Sequence, residues 1–292
     1  MSVLIRHLTQ QERLNFLLTN RIPRQLVTRL IGWYSRLQSP LLTKISIALW
    51  QKFSPDLDFS EAREQQFDSL QSCFIRQLKP GVRPIDKTVG VITSPCDAII
   101  GCCGRIADST VFQAKGYPYE ISELIPDAAI CQSLQDGCYV TLRLKSSMYH
   151  RFHAPTDCSI DEVQYISGDT WNVNPVALKR VQKLYCKNER AVLNLQLKDK
   201  SQHLVMVPVA AILVASMKFH CLDHPLDLRY RGSNILPCHA SYRQGDEMGY
   251  FQHGSTIILF ASSAFKLLDN IRSGDRINMG EALLQSDSDI SL

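Results

Sequence analysis

A glycine–serine bond stands out as a place where this chain could carry out chemistry on itself. Gly254-Ser255-Thr256 follows a turn-rich stretch and leads into an apolar segment, within GDEMGYFQHGSTIILFA at residues 245–261. Glycine leaves its carbonyl open to close approach, so the neighbouring serine hydroxyl could attack it and convert the amide into an ester. β-Elimination and hydrolysis would then turn the serine into a pyruvoyl group, which can form a Schiff base with an amine. Most Gly-Ser-Thr tripeptides are ordinary turns, and that interpretation stays open at this point.

Two upstream segments carry side chains that could serve such a reaction. Tyr149-His150-Arg151-Phe152-His153 places two histidines three residues apart, and titration near neutral pH suits them to proton transfer. Asp97 lies among apolar residues in SPCDAIIG, an environment in which a carboxylate can orient a catalytic imidazole. The histidine pair could also be two solvated surface groups or half of a metal site, and Asp97 could simply cap a turn. The residues alone leave these alternatives open.

Other common catalytic and binding motifs do not occur. The serine is not in a G-x-S-x-G elbow, and the chain contains no Walker A sequence, no G-x-G-x-x-G and no H-E-x-x-H. We expect no metal site, because the one group of suitable ligand types lacks a compact zinc-binding spacing. That group comprises His220, Cys221, His224, Cys238 and His239.

The elements that must position these residues are mainly strands. Short apolar or alternating runs, separated by turn residues, dominate the chain from Thr88 onward. The predicted strands are 89–92, 98–100, 139–144, 163–166, 191–197, 204–215 and 257–260. Helices are predicted at 60–77, 121–124, 176–184 and 264–270. The predicted fold class is therefore α+β but mainly β, with a compact β barrel or sandwich as the catalytic body and amphipathic helices before it.

The N-terminal part of the chain combines helical spacing with a strong positive charge. Apolar residues recur at helical intervals from Arg24 to Phe53, and Ser39-Pro40 divides the stretch into two helices as N-cap and first helical residue. Residues 1–53 contain eight basic residues and one acidic residue, whereas the whole chain has a net charge of +4. Trp33 and Trp50 suit a bilayer interface. Contact with a membrane surface is favoured over packing on the protein's own core, and over a nucleic-acid arm because the basic residues form no dense run.

Length and composition are those of an ordinary globular chain. Of the 292 residues, 45% are hydrophobic and 21% are charged, which excludes a disordered protein. No apolar run reaches eighteen residues, so we expect no membrane-spanning helix, and the N-terminus lacks the apolar stretch of a secretory signal. The ten cysteines are therefore expected to be free thiols in a reducing compartment.

Taken together, these segments resemble the phosphatidylserine decarboxylase family of pyruvoyl-dependent membrane enzymes. The matching sequences are GDEMGYFQHGSTIILFA, YHRFHAP, SPCDAIIG, QAKGYPY at residues 113–119 and CKNERAVL at residues 186–193. They occur in the family's order, and the resemblance extends from about residue 25 to residue 285. The Gly-Ser-Thr segment with its preceding E-M-G-x-F is highly specific, while QAKG and NER support it.

The resemblance implies a proenzyme that cleaves itself between Gly254 and Ser255. The products would be a β chain of residues 1–254 and an α chain of residues 255–292, which remain together as a heterodimer or in a higher oligomer. Ser255 would become the covalent pyruvoyl cofactor. The family converts phosphatidylserine into phosphatidylethanolamine and CO₂ through a Schiff base between the substrate amine and this group.

The resemblance also implies roles for the upstream side chains. Asp97, His153 and Ser255 match the family's self-processing triad. His150 matches a second histidine that is implicated in the decarboxylation itself.

The family expectation assigns a place to each part of the chain. Residues 1–58 would form a helical membrane-association region, and residues 59–292 would form the catalytic β-rich domain. The protein would bind peripherally to the cytoplasmic face of the bacterial inner membrane. Its partners would be phosphatidylserine and an anionic membrane surface, without nucleic acid.

Some positions depart from the family pattern. His253 precedes the cleavage glycine where many relatives have leucine or another apolar residue, and Lys145-Ser146-Ser147-Met148 stands where relatives commonly show a proline and a polar residue such as aspartate. Asn172 stands where some relatives have serine. These departures concern headgroup contacts and the rate of processing. The alternatives are a pyruvoyl-dependent decarboxylase of another serine-containing phospholipid or amino acid, and a non-catalytic, barrel-like binding protein.

Overall fold

Antiparallel strands are the main regular structure in a computed structural model that describes residues 16, 20, 22–114, 117–212, 216–252 and 255–287. The helices are α1 (Arg24–Ser35), α2 (Pro40–Phe53), α3 (Leu70–Phe74), α4 (Ile121–Leu124), α5 (Ala128–Ser133), α6 (Pro175–Leu178) and α7 (Leu184–Lys187). The strands are β1 (Val91–Thr93), β2 (Ala98–Arg105), β3 (Thr110–Ala114), β4 (Tyr117–Glu120), β5 (Cys138–Leu144), β6 (Arg151–His153), β7 (Cys158–Ile166), β8 (Arg190–Gln196), β9 (His203–Ala210), β10 (Ser216–Phe219), β11 (Leu226–Asp227), β12 (Ile235–Tyr242), β13 (Glu247–Phe251), β14 (Ser255–Ala261), β15 (Phe265–Leu267), β16 (Arg276–Ile277) and β17 (Ala282–Ser286). The predicted α+β, mainly β class is confirmed.

One eight-stranded sheet organises the fold. Its strands lie in the order β12-β7-β8-β9-β14-β5-β2-β16, and each pair of neighbours is antiparallel. Among the described residues its two edge strands do not pair with each other, so the sheet is open and does not close into a barrel. A four-stranded sheet of order β11-β10-β13-β6 accompanies it, so the architecture follows the sandwich alternative.

The two faces of the large sheet bury different cores, because side chains alternate along each strand. On β14, Ile257 and Leu259 point into a core shared with the four-stranded sheet, which contributes Phe152 and Phe251. Ile258 and its alternate neighbours point to the other face, where the core is built with the short helices α4 and α7. β14 is therefore buried on both faces over its whole length.

The two N-terminal helices form as the sequence predicts. The side chain of Ser39 accepts a hydrogen bond from the backbone N–H of Leu42, and Pro40 occupies the first turn of α2. The fully buried side chains of these helices are polar, namely Thr28, Ser35 and Thr43. Most large apolar side chains of the two helices are exposed, so the stripe as a whole does not pack on the protein's own core, although Trp50 stacks on Phe74.

Several predicted elements differ from the structure. The helix expected at 60–77 is reduced to α3, because Ala62 forms a β-bridge with Leu78 and the chain between them folds back. The helix expected at 264–270 is wrong, since this segment supplies β15, which pairs with β17. The helix expected at 176–184 is divided between α6 and the start of α7.

The predicted strands are confirmed, with shifted ends. The apolar run at 204–215 forms β9, which ends at Ala210, and residues 213–215 lie outside the described residues. None of the helices in the described ranges is long and apolar enough to span a membrane.

Candidate active site

Ser255 begins the central strand β14, where it is held between two neighbours. It pairs with Leu144 on β5 and with Ala210 on β9, and its side chain has no exposed surface. Its Oγ atom is buried and has no hydrogen-bond partner in the part of the chain that the structure describes. A buried hydroxyl without a partner is costly, so its retention points to a chemical role. Gly254 and His253, on the other side of the predicted cleavage site, lie outside the described residues.

His153 is held as a neutral imidazole at the end of β6. Its Nδ1 lies 2.9 Å from the carbonyl oxygen of Gly245, and its Nε2 lies 3.0 Å from the hydroxyl of Tyr149. A carbonyl can only accept a hydrogen bond, so Nδ1 carries the proton and the Nε2 lone pair accepts from Tyr149. Burial lowers the pKa of His153, although the Gly245 carbonyl opposes this shift. A neutral histidine with a lone pair on Nε2 is suited to act as a base.

Asp97 is anchored by an arginine and not by the histidine. Arg83 donates to both carboxylate oxygens, with Nε 2.9 Å from Oδ1 and Nη2 2.7 Å from Oδ2. The backbone N–H of Met279 donates to Oδ1 at 2.9 Å. Asp97 still raises the pKa of His153 through space, but the structure shows no direct hydrogen bond between the two.

His150 lies on the other side of the same segment, against aromatic residues. It is fully buried, its Nδ1 is 2.8 Å from the carbonyl oxygen of Met148, and its ring centroid is 4.1 Å from that of Phe74. The two histidines are thus in different surroundings, because His153 contacts polar groups and His150 packs on an apolar ring. Neither is the solvated surface group that the sequence left open.

A largely apolar cavity of about 650 Å³ is lined by residues that contact His150 or pair with Ser255, although neither of these two lines it. Phe74, which packs on His150, and Leu144, which pairs with Ser255, both line it. Trp50 of α2 closes another side and stacks on Phe74 with ring centroids 5.5 Å apart. Its remaining walls include Ile31, Phe53, Leu70, Asn172, Ala211 and Ile212. A cavity of this size and apolar lining can take a hydrocarbon-bearing ligand.

A smaller cavity of about 280 Å³ lies on the polar side of His153. Tyr149, Arg83 and Glu247 line it, and Glu247 accepts from Arg151 at 2.6 Å. Burial raises the pKa of Tyr149, so its hydroxyl stays protonated and can donate to His153.

Sequence reasoning missed three contributors to this region. Tyr149 stood inside the YHRFHAP motif, four residues before His153, but received no role. Arg83 gave no local signal, because it lies fourteen positions before the carboxylate that it binds. Phe74 is indistinguishable from any core aromatic residue until its contact with His150 is seen.

Comparisons with known proteins point to one family. A family model described as phosphatidylserine decarboxylase matches residues 70–285. The phosphatidylserine decarboxylase proenzyme of Dickeya dadantii is 31% identical, over 96% of this chain and 95% of the relative. The proenzymes of the same name from Vibrio cholerae and Haemophilus influenzae are 32% and 30% identical, over 89% and 90% of this chain and 94% and 92% of the relatives.

Proposed function

The chain belongs to the phosphatidylserine decarboxylase family, and we propose that it is a self-processing enzyme that converts phosphatidylserine into phosphatidylethanolamine and CO₂. The observation that carries this proposal is the buried Oγ of Ser255, which has no hydrogen-bond partner among the described residues. Leu144, which pairs with Ser255, lines the apolar cavity, so we propose that the lipid approaches residue 255 from that side after the serine has attacked the preceding carbonyl.

Self-processing begins with attack of the Ser255 hydroxyl on the carbonyl carbon of Gly254. The C–O bond of an ester forms, the amide C–N bond breaks, and a base takes the hydroxyl proton and passes it to the departing amine. Loss of the α-proton of residue 255 then expels the Gly254 carboxylate and leaves dehydroalanine, which water converts to a pyruvoyl group with release of ammonia. We assign the base to His153, whose neutral ring carries a lone pair on Nε2. In the structure Nε2 accepts from Tyr149 and makes no hydrogen bond to Ser255, so this assignment requires His153 to exchange the one contact for the other.

The residues around Ser255 fit a pyruvoyl group. The pyruvoyl oxygen would lie where the Ser255 Oγ lies now, and that Oγ has no hydrogen-bond partner among the described residues. The sheet around residue 255 therefore does not have to supply a donor to this oxygen. The group supplies an electron sink for the electron pair that the departing CO₂ leaves behind. The cavity walls bind the acyl chains and exclude water, and His150, which packs on the cavity residue Phe74, supplies or orients the proton that replaces CO₂.

We also propose that α1 and α2 place the protein on a membrane. Their outward side chains include Leu41 at 69% exposure and Trp33 at 62%. The other large exposed apolar side chains of the two helices are Leu26, Leu30, Leu42, Ile45, Leu49 and Phe53. Exposed apolar side chains in this number indicate a surface that is covered in use, and the basic residues beside them suit an anionic bilayer. Trp50 is an exception to the expected membrane contacts, since it packs on Phe74 and lines the cavity.

The cytoplasmic face of the bacterial inner membrane is the location that fits these helices and the family. Residues 1–58 then form the membrane-association region, and residues 59–292 form the catalytic domain. The helices contact that domain directly, since Arg24 bonds to Asp169 and Thr43 bonds to the Asp68 carbonyl.

The test combines intact mass with release of labelled CO₂. The purified protein should separate under denaturing conditions into residues 1–254 and 255–292, the latter with a mass that fits an N-terminal pyruvoyl group. Ser255→Ala should give a single uncleaved chain and no CO₂ from carboxyl-labelled phosphatidylserine. An uncleaved wild-type chain would refute self-processing. A cleaved chain that acts on serine or another soluble amino acid but not on the lipid would favour the alternative substrate.

A further inference from the structure

A polar cleft lies along α1, on a different face from the one that lines the apolar cavity. It runs between α1 and the chain around β11, and three arginines line it: Arg29, Arg36 and Arg229. Asp227 is the one carboxylate lining this cleft among the described residues. Guanidinium groups therefore outnumber carboxylates, and the cleft is suited to an anion. We call it the arginine cleft.

The fold does not use these arginines to form ion pairs. No ion pair between described residues involves Arg29, Arg36 or Arg229. Asp227 instead accepts a hydrogen bond from the backbone N–H of Arg229, at 2.7 Å from its Oδ1. Arg36 donates to the side-chain oxygen of Gln252 at 3.2 Å. Most of the donors on these three guanidinium groups therefore have no partner among the described residues and can serve a ligand.

A buried hydroxyl in the same cleft points independently to a ligand. Ser216 lines the cleft and is only 2% exposed. Its Oγ is buried without a hydrogen-bond partner in the described part of the chain. Burying such a group without a partner costs free energy, and the oxygen of an anion bound beside it would remove that cost.

The arginine cleft opens between the proposed reaction centre and the proposed membrane surface. Gln252 lies three residues before Ser255, and its backbone N–H donates to the Ser216 carbonyl at 3.3 Å. Trp33 also lines the cleft and belongs to the exposed apolar stripe of α1. A ligand could thus place an anionic centre in the arginine cleft and hydrocarbon chains along the exposed apolar stripe of α1.

We propose that the arginine cleft binds the phosphodiester group of a membrane phospholipid. This inference rests on the proposed function, because it assumes that α1 lies at a bilayer. A phosphodiester offers several acceptor oxygens, which match the planar donor geometry of arginine, and Ser216 supplies a further hydroxyl donor. The lipid is either the phosphatidylserine that is decarboxylated or an anionic lipid beside it.

The test uses processed, full-length protein in which Arg29 and Arg229 are changed together to glutamine. CO₂ release is measured against the surface fraction of phosphatidylserine in mixed micelles with phosphatidylcholine. We expect KM to rise about tenfold and kcat to stay within about twofold, as for the loss of charge-assisted hydrogen bonds that bind without entering the chemistry. Arg36 is left unchanged because its contact with Gln252 supports the segment before Ser255. The single variants should each show a smaller rise.

The matched control is Lys198→Gln/Lys200→Gln, which removes the same charge from the exposed turn between β8 and β9. Its KM should stay within about twofold of the wild type. Lysine at both cleft positions should recover part of the affinity, because the charge returns without the paired donors.

A second arm adds phosphatidylglycerol to the micelles and identifies the lipid. A KM that is raised with and without phosphatidylglycerol assigns the cleft to the substrate's own phosphodiester. A KM that is normal without phosphatidylglycerol, together with lost stimulation by it, assigns the cleft to a neighbouring anionic lipid. Cleft variants that match the control in both arms overturn the proposal. A wild-type protein that releases no CO₂ would instead refute the proposed function.

Discussion

Glu189 should make the stability of the protein fall as the pH rises from acid to neutral. Its side chain is 1% exposed, the Tyr165 hydroxyl donates to one carboxyl oxygen, and the other oxygen has no hydrogen-bond partner among the described residues. Burial raises the pKa of Glu189 from 4.5 to about 8, with a further contribution from the Asp227 carboxylate. The folded protein therefore keeps this carboxyl protonated where the unfolded chain releases the proton.

Proton linkage gives the direction and the size of this change in stability with pH. Between the unfolded pKa of 4.5 and the folded pKa of about 8, the folded state binds more proton than the unfolded state. Stability from this group is therefore complete below the lower pKa and is lost as the pH rises towards the upper one. For one carboxyl with these pKa values, the loss between pH 5 and pH 8 is on the order of 3–4 kcal/mol. For a chain of this length, that free energy lowers the Tm by about 6 °C.

The assay compares thermal unfolding of the wild type and Glu189→Gln at several pH values across this range. Glutamine keeps an acceptor for Tyr165 but cannot ionise, so the Tm difference between the two proteins should shift by about 6 °C in favour of the variant as the pH rises. Glu162→Gln, an exposed glutamate on the neighbouring strand β7, is the control and should follow the wild type. If Glu189→Gln loses as much stability as the wild type between the two pH values, Glu189 does not carry this proton and the reasoning fails.

Three further predictions concern processing, the buried carboxylate and the membrane. His153→Ala should leave the chain uncleaved by intact mass, whereas His150→Ala should cleave but release CO₂ at least about 10²-fold more slowly; the reverse pattern would exchange the two roles. Arg83→Gln leaves the Asp97 carboxylate buried without its charged partner, so unfolding in urea should show a loss of about 3–5 kcal/mol, and an unchanged midpoint would contradict the importance of this pair. Leu41→Asp should reduce sedimentation with anionic liposomes while leaving the Tm unchanged, and full retention on the liposomes would show that this face does not enter the bilayer.

The helical hairpin and the strands illustrate how far the sequence alone reaches. Ser39-Pro40 divides two helices because an N-cap hydroxyl and a fixed proline φ act within a few residues. Strands such as β5 and β14 were visible because apolar runs bounded by turn residues suit burial in a sheet. The helices expected at 60–77 and 264–270 failed because distant pairing decided these segments: Ala62 bridges to Leu78, and β15 joins β17.

In the candidate site, too, the sequence identifies some features and only the structure shows the others. Ser255, His150 and His153 could be selected from their types and spacing, and the family resemblance added roles for them and for Asp97. Tyr149 and Met148 contact the two histidines from nearby positions, but other contacts that set their chemistry come from far away in the chain, such as the Gly245 carbonyl that fixes the tautomer of His153.

Only the tertiary structure decided what surrounds each reactive side chain. It placed Arg83 on Asp97, an apolar ring on His150, and the Ser255 hydroxyl in the interior without a partner among the described residues. The physical reason is range: helix caps, turns and strand alternation depend on near neighbours, which the sequence displays. Burial, tautomer and ion pairing depend on groups that folding brings together, and no local sequence pattern shows which distant residue will contact a given side chain.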